Sequence, residues 1–126
     1  MLSRSKPNEA YRQTNFEARL LGSSREELVL FCLEDLLDSM RHLELADSRK
    51  DRAGRSRAIT RCVTALTALE LGIDRNAEMG APLAQFYGSA KSILLDSIRQ
   101  TDAQAISALR TDFSEIAGAF REAFYS

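Results

Sequence analysis

Ile106-Ser107-Ala108-Leu109-Arg110-Thr111-Asp112-Phe113-Ser114-Glu115-Ile116-Ala117-Gly118-Ala119-Phe120-Arg121-Glu122-Ala123 is the stretch that decides the fold. Ile106, Leu109, Phe113, Ile116, Phe120 and Ala123 recur at alternating spacings of three and four, which lays an apolar seam along one helix face. A helix of this kind must bury its seam against others. Upstream, Thr101-Asp102 break the chain for only a few residues, so the preceding helix is an antiparallel neighbour. Its core side reads Leu83, Phe86, Tyr87, Ala90, Ile93, Leu94 and Ile98, and Pro82 sits in a first turn whose amides need no partner within the helix. Before that, Gly72 ends a helix with Ile59, Cys62, Val63, Leu66 and Leu69 turned inward. The polar stretch Asp47 to Arg57, containing Gly54, connects it to a first helix whose stripe is Val29, Leu33, Leu36, Met40 and Leu43. Ser23-Ser24-Arg25-Glu26-Glu27 offers two overlapping capping boxes for the start of that helix.

Residues 1–22, with Pro7, Tyr11 and Gly22, are weakly periodic and read as an arm, flexible or docked, ahead of a helical bundle domain over residues 23–126. The predicted helices cover residues 24–46, 56–72, 82–99 and 102–124, and no segment keeps the two-residue alternation of a strand. The expected fold is all-α, an antiparallel four-helix bundle with an N-terminal arm.

A chain of 126 residues, 44% hydrophobic, suits one domain with a core of its own. With 17 basic and 18 acidic residues the net charge is −1, so no global field draws nucleic acid or anionic lipid, and partners must be recognised locally. The longest apolar run, Leu28 to Leu33, is six residues and cannot span a bilayer, while the N-terminus lacks the basic-then-apolar order of a secretion signal. The expectation is a cytoplasmic protein with no membrane insertion. Cys32 and Cys62 lie on predicted apolar faces with no second ligand near either, as small reduced core side chains in a reducing compartment would.

Residues for catalysis are missing. His42 is the sole histidine, on the polar face of the first helix with only Asp38 and Asp35 at helical spacing, and reads as solvated surface. Glu26-Glu27 and Glu34-Asp35 are adjacent pairs whose carboxylates point about 100° apart around a helix, so neither pair can share one site. There is no Gly-rich phosphate loop and no metal-ligand cluster, hence no cofactor, no metal and no enzyme. Arg49, Lys50, Arg52, Arg55, Arg57 and Arg61 form the local basic excess, opposed only by Asp51, which suits a nucleic-acid or acidic-peptide patch. No aromatics interleave to stack bases and there is no companion patch, so an ordinary solvated loop and helix start is favoured.

The non-core faces are poor in charge. Thr60, Thr64, Thr67 and Leu71 share one stripe of the second helix; Ala84, Gly88, Ser92 and Leu95 one of the third; Ser107, Thr111, Ser114 and Gly118 one of the fourth. Small and hydroxyl side chains leave shallow grooves in which a helix or extended peptide can lie, although close packing inside the bundle would use the same residues. Phe31 projects opposite the core stripe of the first helix, beside Glu27, Asp35 and Asp38, so an apolar cover such as the arm is expected there.

Ala10-Tyr11-Arg12-Gln13 followed by Ser23-Ser24-Arg25-Glu26-Glu27-Leu28-Val29 resembles the start of the flagellar secretion chaperones of the FliS family. Phe86-Tyr87 is similar to that family's Leu-Tyr in its third helix, Asp102-Ala103-Gln104-Ala105-Ile106 to its fourth-helix start, and Ile116-Ala117-Gly118-Ala119-Phe120 to its closing segment, with Phe120 where tryptophan is usual. Leu33-Glu34-Asp35-Leu36 departs from the family's aromatic-Asp-Gly-Ala tract, as do Asn76-Ala77 from its Gly-Gly and Pro82-Leu83 from its Asn-Leu. The resemblance implies a cytosolic chaperone that binds the disordered C-terminal segment of flagellin, blocks premature polymerisation and presents the subunit to an export gate component. It also implies that an arm tyrosine, here Tyr11, occupies part of the client groove when no client is bound, and it brings Tyr87 into the candidate set. The alternative is a small helical scaffold that dimerises, as a homodimer through the same stripes, or that regulates another protein.

Overall fold

The computed structural model describes residues 24–125, and the predicted arm with Tyr11 lies outside them. Four helices follow in order: α1 (Arg25–Ser48), α2 (Arg52–Leu71), α3 (Gly80–Asp96) and α4 (Ala103–Tyr125), with no strand among the described residues. The architecture is a helical bundle. Ser24 begins α1 with one of the two capping boxes: its hydroxyl accepts from the Glu27 amide and the Glu27 carboxylate accepts from the Ser24 amide, both at 3.2 Å.

Several boundaries differ from the sequence reading, each for a local reason. α2 begins at Arg52, four residues before its predicted start, because the Asp51 carboxylate accepts from the Gly54 amide at 2.9 Å and caps a turn that looked like linker. The link from α1 to α2 is therefore only Arg49 to Asp51, with Lys50 in the left-handed region at φ 55°. α3 ends at Asp96 because Ile98 and Arg99 donate to carbonyls three residues back and tighten the chain. That tightening turns Ser97 inward and leaves Ile98, expected in the core, 56% exposed. Ala123, expected on the α4 seam, is also exposed, and Ala117 is buried in its stead.

The core consists of Leu33, Leu36, Met40 and Leu43 of α1, Ile59, Cys62, Leu66 and Leu69 of α2, Tyr87, Ala90 and Leu94 of α3, and Ile106, Leu109 and Phe113 of α4. α1 packs most closely on α2, then on α4, and α3 leans chiefly on α2. Of the helix pairs in close contact, α3 and α4 have the most loosely approaching backbones, and aromatic rings fill the space between them: Phe113 lies 5.0 Å from Phe86 and 6.0 Å, nearly parallel, from Tyr87. Half-exposed ion pairs staple the outside. Arg61 donates to Asp35 and Asp38 across α2 and α1, Lys91 pairs with Glu70 across α3 and α2, and Arg110 and Arg121 reach Glu44 and Glu34 from α4 to α1. Exposed pairs of this kind contribute at most about 1 kcal/mol each, so they set helix register more than stability.

Candidate functional site

Antiparallel connection brings the start of α1, the end of α2, the start of α3 and the end of α4 to one end of the bundle, and there the described residues do not close the core. An apolar trough of about 370 Å³ opens between them. Val29 and Leu33 of α1 and Leu69 of α2 form one wall, Ile73 and Met79 of the connecting loop and Leu83 of α3 another, and Ile116, Phe120 and Phe124 of α4 the third. Tyr87 lies at its base.

Local chemistry explains why the trough stays open. The loop between α2 and α3 folds back on α3 instead of plugging the bundle: Asp74 accepts from the Asn76 amide at 2.9 Å in a tight turn, and the Gly80 amide donates to the Ala77 carbonyl. A Cβ on Gly80 would collide with the Asp74 carbonyl oxygen and the Arg75 backbone, so this return needs glycine. Across the mouth, the Arg25 guanidinium donates to the Gly72 carbonyl oxygen at 2.6 Å, tying the first turn of α1 to the last turn of α2. On the far side, Phe120 and Phe124 stack in tilted fashion with centroids 4.6 Å apart, and Phe124 is 51% exposed. Burial raises the Tyr87 phenol above its ordinary value, with a further push from Cys32, so its hydroxyl stays protonated and able to donate at neutral pH.

Of the described residues nominated from sequence, Tyr87 alone lines the trough. Tyr11 lies outside the described residues. Phe31 is half-buried on the flank of α1. Thr60, Thr64 and Thr67 are exposed on α2, and their hydroxyls donate to the carbonyls of Ser56, Thr60 and Val63 at 3.0, 2.8 and 2.8 Å. Their protons are committed within the helix, so this stripe presents methyl groups and oxygen lone pairs but no free donors. Leu71 is exposed at its end. On α3, Gly88 and Leu95 sit one turn either side of Lys91, whose ammonium pairs with Glu70 of α2, so they and Thr67, one turn before Glu70, border a shared seam. Ala84 is half-buried one turn before Gly88, Ser92 is exposed, and a Cβ on Gly88 would meet nothing within 4 Å. Ser107 is half-buried and Thr111 exposed on α4, the Thr111 hydroxyl donating to the Ser107 carbonyl at 3.2 Å. The nominated side chains therefore lie on several faces.

Sequence reasoning missed the loop and terminal parts of the trough: Ile73, Met79 and Phe124. The signal was present, since two large apolar residues in a short polar connection, and a phenylalanine beyond the last expected seam position, are out of place unless something apolar lies nearby.

Residues 7–125 match the family model for the flagellar protein FliS. The chain belongs to the FliS family. No curated protein sequence matches it. FliS membership makes this a chaperone-family protein of flagellar export, and the helical bundle agrees with that assignment. No described helix of this FliS protein is long and apolar enough to cross a membrane.

Proposed function

We propose that this protein is a cytoplasmic, non-enzymatic export chaperone that binds the disordered C-terminal segment of flagellin, prevents its premature polymerisation and assists its delivery to the flagellar export apparatus, an export gate component being the second partner. The supporting observation is the apolar trough, a concave surface that a bundle without an apolar client would be expected to close. Apolar side chains of the client enter the trough and leave water there.

Magnitudes show that the trough cannot act alone. Seating two or three large anchors contributes roughly 4–8 kcal/mol, whereas fixing about ten residues of a disordered segment costs on the order of 10–20 kcal/mol. The bound segment must therefore gain further contacts or its own helical hydrogen bonds. The faces carrying Thr60, Thr64, Thr67 and Leu71 of α2 and Ala84, Gly88, Ser92 and Leu95 of α3, which meet at the Lys91–Glu70 ion pair, together with Ser107 and Thr111 of α4 and Phe31 of α1, are where we place the remainder. Binding and folding of the client are then one event.

Titration calorimetry with a synthetic flagellin C-terminal segment tests this. Binding with a negative heat-capacity change is expected, weakened at least about tenfold by Phe124→Asp, a loss of one apolar anchor. Flagellin lacking that segment should give no heat. Equal binding of truncated flagellin overturns the reading, and sedimentation of the free protein as a dimer that dissociates when Leu71 and Leu95 are made polar would favour the scaffold alternative.

A further inference from the structure

Opposite the trough, the bundle ends in a concentration of positive charge that the chaperone reading does not use. The link between α1 and α2 and the first turns of α2 carry Arg49, Lys50, Arg52 and Arg57, all exposed and none paired with a carboxylate among the described residues. The Arg55 guanidinium donates to the Ile98 carbonyl oxygen at 3.2 Å, which ties this link to the α3–α4 connection and brings Arg99 to the same end. Four carboxylates share this end, Asp51 accepting from the Gly54 amide, Asp102 from the Ala105 amide, Asp47 facing Arg55 at 3.9 Å, and Asp96, so the six cations Arg49, Lys50, Arg52, Arg55, Arg57 and Arg99 outnumber them by two.

Two features argue against this being an incidental solvated end. Beyond its N-cap Asp51 the first turn of α2 holds no acidic residue, so Arg52 adds to a positive dipole end that one carboxylate only partly offsets. Lys50 is also the one non-glycine residue at positive φ among the described residues, a conformation that glycine or asparagine would adopt with less strain. Both are unfavourable for the free bundle, and an anionic partner relieves the first.

We propose that this end docks an acidic segment of a protein partner, separately from the client trough. Charge complementarity points to an anion. The chain's own arm is not the occupant, since Arg4, Lys6, Arg12 and Arg19 outnumber Glu9 and Glu17 there. No described aromatic side chain lies at this end to stack a base, which disfavours nucleic acid, whereas the exposed Ile98 and Leu45 give a peptide apolar contacts between its acidic side chains.

The test uses the full chain and a fluorescein-labelled peptide of acidic residues interspersed with leucine, followed by anisotropy. Binding at low salt that falls as salt rises is expected, with at least about tenfold loss in Arg49→Gln/Lys50→Gln/Arg52→Gln/Arg57→Gln and no change in Phe124→Asp. Far-ultraviolet circular dichroism checks the fold, and Arg49→Gln/Lys50→Gln serves if the fourfold variant is misfolded. Absent binding, binding unaffected by the substitutions, or tighter capture of a single-stranded oligonucleotide or phosphatidylserine vesicles than of the peptide overturns the proposal. Because Phe124→Asp reports on the trough alone, failure here leaves the flagellin reading standing, and failure there leaves this one.

Discussion

The same seam of α4 has two fates along its length. Phe113, in the middle of the bundle, is fully buried between Phe86 and Tyr87, whereas Phe120 and Phe124, two and three turns on, pack on each other and edge an open trough. Residue type and face are shared. What differs is closure: Phe113 belongs to the buried core shared by all four helices, while at the end that carries Phe124 the loop after α2 is held back on α3 by the turn at Asp74 and the close approach at Gly80 and leaves a trough between the helices. An aromatic on a helix seam is thus core or site according to whether the other elements reach as far as it does.

The strongest way to break this comparison is to truncate one ring from each region. Phe113→Ala should cost about 3–5 kcal/mol, since a buried aromatic is lost and the neighbouring rings cannot collapse fully into the space. Phe124→Ala should stay within about 1 kcal/mol, because half of that side chain already faces solvent. Urea unfolding of both variants decides it, and similar losses would mean the two regions are equally packed.

A second test uses Cys62, in the closed middle layer. Burial first, and then the Asp35 carboxylate, push its thiol from 9.0 up to about 12. The unfolded chain gives up this proton more readily than the folded one, so the contribution is fully present below pH 9 and is lost as pH rises from 9 toward 12. Thermal unfolding of the wild type should therefore show declining stability above pH 9, with Cys62→Ala, less stable overall, declining less steeply. Parallel slopes would show that the thiol is not sequestered as the core geometry requires.

These regions were not equally legible from sequence. The middle layer was readable because periodicity reports which face of a helix is buried, and Leu36, Cys62, Leu66, Ile106 and Phe113 were all placed inward by spacing alone. The helix count followed from the same signal. The trough was hidden because periodicity says nothing about how far neighbouring helices overlap along their axes: Val29, Leu33, Leu69, Leu83, Ile116 and Phe120 were assigned to core stripes, and of these Leu33 and Leu69 are buried in the trough wall while Val29, Leu83, Ile116 and Phe120 stay partly exposed. The threonine stripes show a different limit. Lack of charge on an outward face is visible in sequence, but whether a hydroxyl proton is free for a partner depends on its rotamer, and Thr60, Thr64 and Thr67 each donate to their own helix.

The smallest expected effect on global stability sharpens the comparison most. Ser24→Ala removes the capping box of α1 and should cost about 1 kcal/mol, a helix-end effect confined to the first turn. That turn carries Arg25 and Glu26 at the trough mouth, with Val29 in the next turn, while the nearest fully buried residue of α1 is Leu33, more than two turns from the cap. Fraying should therefore loosen the trough wall without reaching Phe113. Hydrogen exchange ought to accelerate at the amides of residues 25–29 and stay unchanged at those of residues 36–43, and affinity for the flagellin segment should fall while the urea midpoint moves little. If instead exchange quickens evenly along α1, the trough end and the closed middle form one cooperative unit, and openness at the end would then be a feature of shape and not of local stability.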